Sequence, residues 1–244
     1  MKTLIILHGW QSSKEKWQKT KQILESEELK IIVPDIPGFK PKTELKKPWN
    51  LNDYLDWFKE FYEKEKVEEP FFLLGHSFGG RMSIKFAAEH PEKVKGLILV
   101  SAAGINKRSF YKKILGLGAT AAKKLKIEKI PLLKDFWGIF KKFFYHYILR
   151  KTDYLQASGF LKETIKNILN EDLTSFLDKI FVPTLIIWGE KDRITPLKDA
   201  YLMKEKIKNS QLKLLKNISH TPHLENPRIL AQEIKDFVGE SKPN

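Results

Sequence analysis

Short apolar runs recur along this chain, each closed by a turn and followed by a polar stretch with helical spacing. Residues 3–7, 29–33, 71–74, 94–100, 182–188 and 212–215 read as six strands. Most are apolar at nearly every position. Such a strand is buried on both faces, as in a parallel sheet held between helical layers. Between the strands, residues 13–24 carry Trp17, Ile23 and Leu24 at helical positions. A second helix, capped by Asn50 or Asn52, runs to about Lys64 and presents Tyr54, Leu55, Phe58, Phe61 and Tyr62 as one stripe. Residues 81–89, 197–207 and 228–238 complete the helical set. The expected fold is α/β, a mostly parallel six-stranded sheet with helices on both faces.

The alternation breaks once. Residues 105–181 show only helical patterns, clearest in Phe136, Ile139, Phe140, Phe143, Phe144 and Tyr147, which share one helix face. That stripe reads as packing, not as a cofactor site. The division is a core of residues 1–104 and 182–244 with a helical insertion at 105–181.

The stretch Phe71-Phe-Leu-Leu-Gly-His-Ser-Phe-Gly-Gly80 carries the chemistry. It reads as strand, sharp turn and helix, with Ser77 at the turn. A serine hydroxyl is a weak nucleophile and must be held exposed beside a base. A tight turn crowds the backbone, so the positions two before and two after the serine must be small, and Gly75 and Gly79 stand there. The following helix points N–H groups at a developing anion.

In a parallel sheet, ligands bind beyond the carboxyl ends of the strands, so partners for Ser77 belong in the loops after other strands. The loop after the fifth strand holds Glu190 and Asp192, and the loop after the sixth holds His220 and His223. The order is serine, acid, histidine. Asp192, before Arg-Ile-Thr-Pro, is preferred over Glu190, which reads as a turn or surface residue. His220 is preferred over His223, which reads as packing or a helix-entry contact. The oxyanion hole needs two backbone N–H groups. Phe78 supplies one, and Trp10, after His8-Gly9 at the end of the first strand, supplies the other. His76 reads as packing or hydrogen-bonding beneath the turn, and Asp35 and Gly38 as structural.

Composition narrows the classes further. The chain has 244 residues, 42% hydrophobic and 30% charged, and no apolar run of the roughly 18 residues a bilayer span needs. Residues 4–7 are too short for a signal-peptide core, so a cytoplasmic protein is expected. The absence of cysteine excludes disulfides, a cysteine nucleophile and thiolate metal sites. No metal-ligand spacing and no dinucleotide fingerprint is present, so no cofactor is expected. The net charge is +14, but only five of 44 basic residues are arginine. Phosphate and nucleic-acid sites favour arginine's planar fork, so the charge is read as a solvated lysine surface and nucleic acid is not an expected partner. Residues 105–181 hold 16 basic and seven acidic side chains. The expected partner is a small-molecule substrate, with no stable membrane insertion, and the chain is expected to be a monomer or homodimer.

Together, His8-Gly-Trp10, Pro34-Asp-Ile-Pro-Gly-Phe39, the turn at 75–80, Gly189-Glu-Lys-Asp192 and His220-Thr-Pro-His-Leu-Glu-Asn-Pro227 resemble the α/β-hydrolase fold superfamily. The resemblance is to its single-cap branch, which includes carboxylesterases, meta-cleavage-product carbon–carbon hydrolases, perhydrolase-like haloperoxidases and proline iminopeptidases. It implies that 105–181 is a helical cap over the active site. Three departures stand out. The usual first two strands are missing, so the sheet should be trimmed at one edge. Ser219 stands where the histidine usually follows glycine. The nucleophile is serine, which disfavours the aspartate-dependent dehalogenases and epoxide hydrolases. The expected activity is a serine hydrolase acting through a Ser77–His220–Asp192 triad and an acyl-enzyme, with small to medium apolar or aryl carboxylic esters as substrates. A carbon–carbon hydrolase is the alternative. It needs a basic or polar group for the substrate carboxylate, a role for which Arg81 is unassigned. A non-catalytic binding module is the alternative of another class.

Overall fold

The computed structural model describes residues 1–40, 43–105 and 159–240. Six strands form one sheet: β1 (Lys2–Leu7), β2 (Leu29–Ile32), β3 (Phe71–His76), β4 (Val94–Val100), β5 (Thr184–Gly189) and β6 (Ser210–Leu215). Their order is β2-β1-β3-β4-β5-β6, and every pairing is parallel. The expected mostly parallel sheet is thus fully parallel.

The unbroken apolar runs follow from burial on both sides. Alternate residues point to opposite faces of a strand. Ile5 and Leu7 of β1, Leu73 of β3, Leu99 of β4 and Trp188 of β5 enter one core. Leu4, Ile6, Leu74, Val100 and Ile187 enter the other. The first core lies under α2 (Leu51–Lys64), α3 (Phe78–Glu89) and α6 (Leu197–Lys206), the second under α1 (Gln18–Leu24) and α8 (Pro227–Glu240). Asn50 caps α2: its side chain accepts from the N–H groups of Asn52 and Asp53, and Asp53 accepts from the Asn50 N–H in return. Several bounds differ from the sequence expectation, by one or two residues at β1, β2, β5, β6 and α6 and also at four further places. Residues 14–17 form a 3₁₀ turn ahead of a shorter α1, β3 extends to His76, α3 starts at Phe78 and not Arg81, and α8 runs from Pro227 to Glu240.

The aromatic stripe at 136–147 and most of the expected cap lie outside the described residues. Within its last part, α4 (Phe160–Asn170) and α5 (Thr174–Leu177) are helices. Ile168, Leu173, Leu177 and Ile180 belong to the first core. Arg81 and Lys85, on one face of α3, hold the end of α4. The buried Arg81 guanidinium donates to the carbonyls of Ile168 (2.6 Å) and Glu171, and Lys85 pairs with the Glu171 carboxylate at 2.6 Å. Burial lowers the guanidinium to about 10, so it stays charged at neutral pH and complements the negative end of α4. Among the described residues no helix is long and apolar enough to cross a membrane.

The chain leaves β1 toward β2 on one side and returns to place β3 on the other. This is the point where strand order reverses, and a crevice opens there at the carboxyl ends. His8-Gly9-Trp10 and Ser77 sit at those two ends.

Candidate active site

The turn at Ser77 is fixed mainly by exclusion of space. Ser77 has φ 51 and ψ −111, a conformation that costs a non-glycine residue about 1–3 kcal/mol and persists only where surroundings dictate it. They do. A Cβ on Gly75 would stand 2.5 Å from the Gly79 carbonyl oxygen and the Ser83 hydroxyl, and one on Gly79 would stand 2.0 Å from the Leu7 carbonyl oxygen. Both glycines are therefore required by close approach. Hydrogen bonds finish the turn: Ser77 N–H donates to the Val100 carbonyl, and the Ser77 carbonyl accepts from Gly80 and Ala103.

Asp192 is fixed mainly by hydrogen bonds. Its Oδ1 accepts from the N–H groups of Ile194 (2.8 Å) and Thr195 (2.9 Å), forming a closed Asx-type turn. Its Oδ2 accepts from the Thr195 hydroxyl at 2.7 Å and lies 2.9 Å from His220 Nδ1. Burial pushes the Asp192 carboxyl up, but the bonds from His220 and Thr195 outweigh it and bring it down to about 2. As an anion it only accepts, so His220 Nδ1 carries the proton. His220 Nε2 then presents its lone pair to Ser77 Oγ, 3.1 Å away. Sequence reasoning missed Thr195, which also lies 3.2 Å from the Ser101 carbonyl and 3.3 Å from His220 Nδ1. The available signal was the spacing Asp-x-x-Thr before Pro196.

The other candidates separate cleanly. Glu190 is exposed on the β5 turn. His223 is buried and stacks flat on Trp17 at 4.2 Å, and burial brings it down to about 3. His76 lies beneath the turn, where its Nε2–H donates to the His220 carbonyl at 2.9 Å. Burial holds His76 well below the ordinary histidine value and also lowers His8. These three histidines are neutral at pH 7 and place no positive charge beside His220. Asp35 pairs with Lys14 at 2.9 Å and Lys40 at 2.7 Å, and Gly38 takes φ 92, both in structural roles.

Trp10 follows β1, and Phe78 opens α3. Their rings meet edge-on at 5.4 Å and 90°, so the two backbone segments are neighbours. The Phe78 N–H is among the first of α3, which have no partner inside the helix. Among the described residues neither backbone N–H donates to another protein group. Phe39 and Tyr54 extend the aromatic contact at 4.8 Å from Trp10 and 5.0 Å from Phe78. Among the described residues no three potential ligands stand together to hold a metal ion. What this arrangement supports chemically is proton removal from Ser77 by His220.

Comparisons with known proteins agree with the fold. The family model described as alpha/beta hydrolase fold matches residues 2–227. Human monoacylglycerol lipase ABHD6 is 28% identical over 257 residues, covering 97% of this chain and 75% of that protein. Lipase 1 of Psychrobacter immobilis is 29% identical over 259 residues, covering 96% and 76%. Among solved structures, an esterase from Exiguobacterium antarcticum superposes with a TM-score of 0.73 at 24% identity, covering 98% of this chain and 92% of that one. Sheet, strand-to-helix turn and family match agree, and the chain belongs to the alpha/beta hydrolase fold family.

Proposed function

We propose that this protein is a serine hydrolase of carboxylic esters, with Ser77 as nucleophile, His220 as base and Asp192 as its orienting acid. The carrying observation is the continuous hydrogen-bond line from Asp192 through His220 to Ser77, at 2.9 and 3.1 Å. His220 takes the Ser77 proton as Oγ attacks the ester carbonyl. The N–H groups of Trp10 and Phe78 stabilise the oxyanion. Asp192 stabilises the imidazolium, which returns its proton to the departing alcohol. Water, activated by the same histidine, then hydrolyses the acyl-enzyme.

The lipase and esterase relatives support carboxylic esters as the substrate class. The aromatic wall of Trp10, Phe39, Phe78 and Tyr54 beside the proposed oxyanion hole suits an apolar acyl or aryl group. The carbon–carbon hydrolase reading gains nothing from Arg81, whose guanidinium is committed to the end of α4. A non-catalytic module has no need of the wired serine, histidine and aspartate.

The test is hydrolysis of short p-nitrophenyl esters by the parent and by Ser77→Ala. The parent turns them over, and the variant loses several powers of ten in kcat. Equal rates would refute the assignment of Ser77.

A further inference from the structure

The ring of His220 is held at both nitrogens, but a ring is only as well placed as the backbone that carries it. That backbone runs through a half-buried loop between β6 and the short helix α7 (Pro222–Glu225). One carboxylate gathers the loop. Glu225 accepts from the Ser219 N–H (2.8 Å), the Ser219 hydroxyl (2.6 Å), the Thr221 N–H (3.1 Å) and the Thr221 hydroxyl (3.0 Å). All four donors belong to the two residues flanking His220. From the opposite side, His76 Nε2–H holds the His220 carbonyl at 2.9 Å. Two peptide units around the base are thus pinned: Glu225 holds the Ser219 N–H of one, and Glu225 and His76 together hold the Thr221 N–H and His220 carbonyl of the other.

We propose that Glu225 is a positioning residue for the hydrolytic reaction: it holds the His220 backbone so that the ring spans Asp192 and Ser77. The inference rests on the reading of His220 as the base. Glu225 is exposed, and among the described residues its carboxylate bonds only to Ser219 and Thr221, touching neither Ser77 nor Asp192 in this arrangement. Its effect is geometric. A hydrogen-bonded donor pair on a charged acceptor is stronger and more directional than a neutral one, and here two such pairs tie the chain down on both sides of one residue. Ser219 is part of the device. Where the family usually has glycine before the histidine, this chain has a hydroxyl that adds a fourth bond to the carboxylate. The short helix α7 makes the geometry: its single turn folds Glu225 back over residues 219–221, with the Leu224 and Glu225 N–H groups bonded to the Thr221 carbonyl.

The experiment compares the parent with Glu225→Ala, Glu225→Gln, Ser219→Gly and His220→Ala, all confirmed as folded by near-ultraviolet circular dichroism. The kcat and KM on a short p-nitrophenyl ester and the rate of labelling by a fluorophosphonate are measured. Glu225→Ala is expected to lower kcat and the labelling rate by about 10- to 100-fold, the scale of a base displaced by a fraction of an ångström to an ångström, with KM within about twofold. Glu225→Gln, which keeps one acceptor oxygen but brings an amide against the donors, is expected to fall between. Ser219→Gly, which removes one of the four bonds, is expected to show the smallest loss in kcat. A folded Glu225→Ala with parental kcat overturns the proposal, as does a change confined to KM. If Glu225→Ala does not fold, parental kcat in both Glu225→Gln and Ser219→Gly overturns it. His220→Ala separates the two claims. Full activity in that variant removes the base assignment itself, whereas an inactive His220→Ala beside a fully active Glu225→Ala defeats only the role of Glu225.

Discussion

The turn at Ser77 and the loop at Asp192 end neighbouring parts of one sheet, yet they are built by different physics. Around Ser77 the backbone is placed by what cannot fit: a methyl group on Gly75 or Gly79 meets carbonyl oxygens at 2.5 and 2.0 Å. Around Asp192 the side chain is placed by what it bonds, two N–H groups, a hydroxyl and an imidazole. A steric device tolerates no substitution but is indifferent to pH and salt. A polar device keeps its shape on isosteric replacement of its atoms but fails when a charge or a proton is moved. A nucleophile must be held in a strained conformation, which needs rigid walls. A general base must change protonation during each turnover, which needs an adaptable electrostatic partner.

That contrast can be broken from either side. Asp192→Asn keeps the shape of the acid loop and removes its charge. It is expected to lower kcat by about 10⁴-fold, because a neutral amide no longer enforces the Nδ1–H tautomer. The loss of rate should far exceed any loss of stability, and ester kinetics beside a melting curve check both halves. Gly79→Ala is the reverse case. It leaves every catalytic atom in the sequence but forces the turn apart, at a cost of about 3 kcal/mol or more. Urea unfolding should show lost stability along with lost activity. If Gly79→Ala folded as stably as the parent, the steric account of the turn would be wrong.

Smaller effects sharpen the polar side. Thr195→Val removes the hydroxyl on Asp192 Oδ2 but leaves the backbone bond to Oδ1. A loss of about tenfold in kcat is expected, the worth of one hydrogen bond to a charged group. The buried histidines give a pH test. Burial depresses His8, His76 and His223, the last to about 3. The folded state therefore binds fewer protons than the unfolded one at pH values between the depressed and ordinary values. Their stabilisation is complete above the unfolded histidine value of about 6.5 and is lost as pH falls below it. Each such group contributes a slope of up to about 1.4 kcal/mol per pH unit in that window. Asp192, with its carboxyl at about 2, adds its own loss only below the ordinary carboxylate value of about 4. Urea unfolding at pH 7.5 and 5.5 should show the fall, and His223→Phe, which retains a ring against Trp17, should flatten it.

Much of this was legible in the sequence, for reasons that follow from the same contrast. The inner strands β1, β3, β4 and β5 were readable because both faces are buried, which leaves almost no polar position inside them, whereas the edge strands β2 and β6 expose Lys30, Gln211 and Lys213. The turn was readable because steric demand writes itself as glycine at fixed spacing. Asp192 and His220 were readable from their place after β5 and β6. The start of α3 was not, because Gly79 and Gly80 look like helix breakers, although they are selected for close approach to Leu7 and Ala102. Thr195 and Glu225 were not, because a hydrogen bond across a loop leaves no periodic trace. The Arg81 and Lys85 contacts with the end of α4 were not, because they join residues about 90 positions apart.

Covalent labelling is the most direct test of Ser77 as an activated nucleophile. Intact mass spectrometry after exposure to a fluorophosphonate should show a single adduct on the parent, mapped to Ser77 by peptide analysis. The adduct should be absent from Ser77→Ala and form far more slowly in His220→Ala. A folded parent that takes up no label, or a Ser77→Ala variant labelled as fast as the parent, would contradict the account.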